Sequence, residues 1–119
     1  MIGVDHVVVA TPDFDRTTRA LTAAGLELRR VRTAGERAQQ GFYVIGDALA
    51  EVVGPVVPDG DGPAAFWGVT LVSADLDATC AALGELISAP RDAVQPGRRI
   101  ATVREAAGLR TAVAVMSPR

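Results

Sequence analysis

The sequence contains no lysine; all twelve basic residues are arginine. It also has a single cysteine (Cys80), a single histidine (His6) and only five aromatic residues. One cysteine excludes an intrachain disulfide and a cysteine-built zinc site. One histidine means that Ser–His or Cys–His chemistry, or a metal site with a His ligand, has to use His6. Uninterrupted apolar runs last a few residues, far short of the roughly 20 that span a bilayer. The start, Met1-Ile-Gly-Val-Asp-His6, lacks the basic and long apolar segments of a secretion signal. These features predict a soluble, cytoplasmic protein without a membrane partner. A net charge of −2 and a pI near 5.3 supply no basic field for nucleic acid. The all-arginine usage and the Ala/Val richness match a GC-rich coding composition, which weighs against reading function into any single Arg.

With 49% hydrophobic residues over 119 positions, there is ample core for one domain, residues 1–119. That domain is built twice. A shift of about 62 residues lays Thr11-Pro-Asp-Phe-Asp15 over Ser73-Ala-Asp-Leu-Asp77. Thr17 then meets Thr79, Leu21 meets Leu83, and Gly46 meets Gly108. Each half predicts the same element order, βαβββ. Ile2–Ala10 is apolar and β-branched, as a strand requires. Thr11 or Asp13 caps a helix to about Ala24, with Gly25 as its left-handed stop. Leu26–Arg32, Gln39–Ile45 and Ala48–Gly54 are the strands that complete module one (1–54). Residues 55–63, rich in Pro and Gly, form a linker. Module two (64–119) repeats the order with a strand over Phe66–Ser73 and a helix over Asp75–Leu83. A short strand over Leu86–Ser88 follows, then Ile100–Arg104 and Leu109–Met116. A single such module has a helix on one sheet face only, so the other face needs a cover.

Paired βαβββ modules of this length resemble the vicinal oxygen chelate superfamily, which includes glyoxalase-type lyases, bleomycin-resistance proteins and extradiol dioxygenases. Val4-Asp-His6-Val-Val-Val-Ala-Thr-Pro-Asp13 resembles that family's first strand and helix entry. Ala48-Leu-Ala-Glu51-Val-Val53 resembles its module-ending strand. The resemblance implies an α+β fold in which two βαβββ modules form a curved mixed sheet with a central cup and the helices outside. It also implies a homodimer. In metal-dependent members a His on the first strand and a Glu on the fourth face the cup, and the second module adds matching ligands. His6 and Glu51 occupy the two first-module positions. The counterpart of His6 is Gly68, and that of Glu51 lies among Ala112, Val113 and Ala114; none of these binds a metal. The expectation is therefore no metal and no cofactor.

Individual residues carry two readings each. His6 and Glu51 share a face by strand alternation and are either a general acid/base pair or a satisfied polar remnant of a metal site. Arg30 and Arg32 share one face of their strand, Arg104 and Arg110 flank the last hairpin, and each of the four either clamps an anionic ligand group or is solvated. Phe42-Tyr43 and Phe66-Trp67 each send one ring toward a helix, leaving Phe42 or Trp67 as a stacking surface or as core. Cys80 falls within the second helix as an inert thiol. The expected function is metal-independent binding or sequestration of a small organic ligand through His6, Glu51, Phe42, Trp67, Arg104 and Arg110. The alternative is a glyoxalase-type lyase, isomerase or dioxygenase using His6 and Glu51 with or without a divalent metal. A third class, a ferredoxin-like interaction module, requires βαβ crossovers in place of hairpin-ended modules.

Overall fold

The two helix starts show most directly how the sequence builds this molecule, whose computed structural model describes residues 1–119. Asp13 caps helix α1 (Phe14–Ala23) at φ −142°, ψ 95°, accepting from the Arg16 N–H at 3.0 Å. Asp75 caps α2 (Leu76–Leu83) at φ −139°, ψ 97°, accepting from the Ala78 N–H at 2.9 Å. Behind each cap sits a hydroxyl pair at 2.7 Å, Thr11–Thr17 in the first and Ser73–Thr79 in the second. The repeat is thus preserved hydrogen bond for hydrogen bond. Each cap contributes about 1 kcal/mol by satisfying an otherwise orphaned helix N–H. α1 ends in a Schellman motif: Leu26 N–H donates to Leu21 O and Gly25 N–H to Thr22 O, with Gly25 at φ 98°.

Eight strands of mixed sheet and two helices give an α+β fold: β1 (Gly3–Ala10), β2 (Leu28–Ala34), β3 (Ala38–Ile45), β4 (Ala48–Pro55), β5 (Ala65–Val72), β6 (Arg91–Asp92), β7 (Arg99–Thr102) and β8 (Ala112–Met116). The chain divides into two compact units, His6–Trp67 and Met1–Asp5 with Gly68–Arg119. In the first, the strand order is β2-β3-β4-β1, with β1 parallel to β4 and the rest antiparallel. α1 covers one face of this sheet. Phe14, Tyr43, Ala50 and Val52 form the core there, flanked by Val7, Val9, Leu21 and Leu26. Each fully buried side chain of this size contributes about 1.5–3 kcal/mol. Arg16 ties the linker to α1, its guanidinium donating to the carbonyls of Asp61 and Gly62.

In the second unit the order is β5-β8-β7-β6, with β5 parallel to β8. Leu76, Ile87, Ala101 and Val115 make its core, with Cys80, Leu83 and Val103 packed against them. The N-terminal segment belongs here because Ile2 N–H donates to Val72 O at 2.8 Å and Asp5 meets Arg98. Arg98 and Asp5 are both buried; Arg98 Nη1 donates to Asp5 Oδ1 at 2.8 Å, and Nε and Nη2 donate to the Ser117 carbonyl. At the surface, Arg99 donates to Asp77 at 2.8 Å, and this hydrogen bond holds the Asp77 carboxyl below its ordinary range.

The expected strand over Leu86–Ser88 is replaced by a 3₁₀ turn over Gly84–Leu86 and an isolated bridge from Ile87 to Val103. The reason is local. Ser88 Oγ accepts the Thr102 N–H at 2.9 Å, taking the place of a ladder carbonyl, and Pro90 follows with no N–H to continue the ladder. Pairing resumes only at Arg91–Asp92. The strand expected from Leu109 begins at Ala112, because a 3₁₀ turn over Glu105–Ala107 and the loop after it take up the intervening residues. No helix is long and apolar enough to cross a membrane.

Candidate functional site

The sheet of the His6–Trp67 unit has one face under α1 and one free of it. Register decides which side chains share the free face. β3 pairs with β4 as Gln40↔Val53, Phe42↔Glu51 and Val44↔Leu49, and β1 pairs with β4 as His6↔Leu49 and Val8↔Glu51. Tyr43, Ala50 and Val52 take the opposite parity and are buried beneath α1. The helix-free face therefore brings together His6, Phe42, Glu51 and Gln40, all half-buried. Phe42 sits directly across from Glu51, and His6 lies one pleat further along.

Glu51 is held in place. Its Oε1 accepts from Gln40 Nε2 at 2.6 Å, a short bond to a charged acceptor. Phe42 is capped on its outer side by Arg30, whose guanidinium carbon lies 4.9 Å from the ring centroid, a cation–π distance. Neither Gln40 nor Arg30 emerged from the sequence as a partner of these residues. The only available signal was the alternation of β3, which gives Gln40 and Phe42 the same parity.

Trp67, Arg104 and Arg110 complete the set expected from the sequence. Phe66 and Trp67 open β5 and are 76% and 60% exposed, so neither is core. Arg104 and Arg110, both exposed, line a cleft of about 240 Å³ in the second unit with Thr102, Glu105, Leu109 and Ala112. Arg104 Nη1 donates to the Glu85 carbonyl at 3.4 Å. A wider cleft of about 740 Å³ in the first unit lies against Arg37 and the linker residues Pro55, Val56, Val57 and Pro58. The sequence marked that stretch as a linker and nothing more.

The residues present do not fit a divalent ion. Register places Gly68 opposite Ala112 and Thr70 opposite Ala114 on the β5–β8 pair, as His6 lies opposite Leu49 and Val8 opposite Glu51 on β1–β4. The counterpart of His6 is thus Gly68 and that of Glu51 is Ala114, and neither carries a donor. Gly68 has a packing reason: a Cβ there would lie 2.9 Å from the Ala112 carbonyl oxygen, a backbone atom that cannot step aside. Nowhere do three His, Cys, Asp or Glu side chains converge in a ligating group. Two donors from β1 and β4 fall short of the three or four that hold zinc or a similar ion.

Comparison with known proteins adds the fold's relatives. No family model matches the sequence, and no curated protein matches it. Among solved structures, methylmalonyl-CoA epimerase from Mycobacterium tuberculosis is similar at a TM-score of 0.71 and 16% identity, over 98% of this chain and 88% of that one. A variant of the Streptomyces coelicolor methylmalonyl-CoA epimerase, in complex with 2-nitronate-propionyl-CoA, is similar at 0.69 and 19%, over 97% and 96%. A hypothetical protein from Bacillus halodurans C-125 is similar at 0.71 and 11%, over 98% and 94%. Likeness at these identities is likeness of fold. These structures share this chain's α+β fold with its mixed sheet.

Proposed function

We propose that this chain binds a small organic acyl compound, of which a coenzyme A thioester is the first candidate, on the helix-free face of its His6–Trp67 unit and without a resident metal. The observation that carries this reading is the Gln40–Glu51 hydrogen bond. It fixes a half-buried carboxylate beside the Phe42 ring on a sheet face that α1 does not cover. A flat apolar ring next to one oriented polar group is what a small-ligand site needs: one surface for contact area, one group for orientation. The structural neighbour from Streptomyces coelicolor in complex with 2-nitronate-propionyl-CoA supports the choice of acyl compound. Trp67, exposed on β5, offers a second stacking surface; in the second unit, taken by itself, the Arg104–Arg110 cleft has room for one phosphate or carboxylate group. A homodimer is part of this proposal; the exposed Leu28 and Val31 on edge strand β2 give a second copy apolar surface to cover.

Titration calorimetry with methylmalonyl-CoA tests the binding reading. Phe42→Ala and Glu51→Ala are each expected to weaken binding by about tenfold or more, as loss of a central aromatic contact or a charged hydrogen bond does. Arg19→Gln, on the exposed surface of α1, is expected to leave it unchanged. Wild-type affinity in both site variants would overturn the assignment of this face.

A second reading follows from the same carboxylate. With His6 one pleat away on the same face, Glu51 is placed to remove a proton from a carbon next to a carbonyl. In deuterium oxide, that chemistry exchanges the α-proton of methylmalonyl-CoA, and Glu51→Gln abolishes the exchange. Binding without exchange leaves the non-catalytic reading standing alone.

A further inference from the structure

Strand β2 contains an irregularity that redirects two arginines. Leu28 pairs with Tyr43, but Arg30 pairs with Phe42 and Arg32 with Gln40, so Arg29 is an extra residue bulged out of the ladder. In a regular strand Leu28, Arg30 and Arg32 would share one face. The bulge separates them. Leu28 keeps the helix side, where its Cδ1 packs next to Gly41 and Phe14, while Arg30 and Arg32 turn to the face of Phe42, Gln40 and Glu51. β-Bulges commonly re-aim side chains beside active sites.

The redirected pair makes this face cationic. Arg30 and Arg32 are exposed and form no ion pair in the chain, and Glu51, already bonded to Gln40, is the one carboxylate among the face residues on β1, β3 and β4. The Arg30 guanidinium is also oriented, lying over the Phe42 ring and thereby ordered without using its outward N–H donors. We propose that Arg30 and Arg32 form an anion clamp at the edge of the Phe42–Glu51 face, taking a carboxylate or phosphate group of the ligand while the uncharged part lies against Phe42. This deepens the reading of that face as a ligand site and rests on it: the ligand class becomes an acyl compound carrying an anionic group a few bonds from its apolar part. Two guanidinium forks on alternate residues of one strand suit the planar, bidentate recognition that arginine gives to such groups.

Chemical-shift titration of the full chain tests the clamp with three probes: malonate, inorganic pyrophosphate and the neutral ester dimethyl malonate. Arg30→Gln and Arg32→Gln are each expected to weaken the preferred anion by about tenfold, and Arg29→Gln, at the bulge, to leave it unchanged. Dimethyl malonate is expected to respond to Phe42→Ala and not to Arg32→Gln. Whichever anion binds more tightly to the wild-type chain and loses affinity in the arginine variants names the group recognised. Anion affinity equal to wild type in both arginine variants overturns the clamp alone. Unchanged binding of all probes in Phe42→Ala overturns the face beneath it, and no binding of any probe overturns both.

Discussion

Replacing Arg98 by methionine is expected to destabilise the chain by about 3–5 kcal/mol, the penalty for removing one member of a buried ion pair. Arg98 is 6% exposed and Asp5 4%, so water cannot take over for either group. The guanidinium also supplies two donors to the Ser117 carbonyl, and these disappear with it. The pair joins residues 93 positions apart, so its loss releases the N-terminal segment from β7 and the C-terminal tail. Denaturant unfolding checks this. Because the pair is buried, the loss should persist at high salt, where an exposed pair would already be screened. A double variant, Asp5→Leu with Arg98→Met, is expected to recover part of the stability, since both members of the buried pair are then apolar. A destabilisation of Arg98→Met below about 1 kcal/mol, the range of exposed pairs, would show that the pair is solvated.

Tyr43→Ala is expected to cost a similar amount, about 3–5 kcal/mol, as large aromatic truncations in a core do. Tyr43 is fully buried under α1, against Phe14 and Val52, and its hydroxyl donates to the Thr18 carbonyl at 3.0 Å. Tyr43→Phe separates the two contributions, since it keeps the ring and removes one hydrogen bond worth about 1 kcal/mol. Thermal and denaturant unfolding of the pair checks this. Equal losses in the two variants would mean that the hydroxyl, and not ring packing, anchors the helix to the sheet. The neighbouring Phe42, on the other face, should be nearly neutral for stability and matter for ligand binding.

That contrast between adjacent aromatics was legible in the sequence, because strand alternation alone sends Phe42 and Tyr43 to opposite faces. The duplication was legible too. Asp13 and Asp75, with Thr11 and Ser73 before them, carry caps whose chemistry is local, and local chemistry repeats when the residues do. His6 and Glu51 were found on one face for the same reason: parity survives wherever a strand is regular. On β2 parity held for Arg30 and Arg32, which share a face, and failed across Arg29. The bulge at Arg29 is a tertiary compromise that lets Leu28 reach Phe14, and no pattern in Leu28–Ala34 announces it. The Leu86–Ser88 stretch failed differently. Its apolar composition fits a strand, but the Ser88 hydroxyl takes the place of one ladder carbonyl, and the pairing shrinks to a single bridge. Long-range partners were invisible throughout: nothing near Arg98 in the sequence points to Asp5, and nothing near Gln40 marks it as the residue that holds Glu51. The missing second-module donor was visible as Gly68. The structure adds its cause, the close approach of the Ala112 carbonyl.

On the proposed reading, ligand binding on the helix-free face needs no metal, because the second unit carries Gly68 and Ala114 at the positions that correspond to His6 and Glu51. The direct measurement is the affinity of the purified chain for methylmalonyl-CoA before and after exhaustive chelation, with bound divalent metal quantified in the same samples. Equal affinity in both and substoichiometric metal throughout is the result expected of metal-free binding. Affinity lost on chelation and restored by a stoichiometric divalent ion would contradict it.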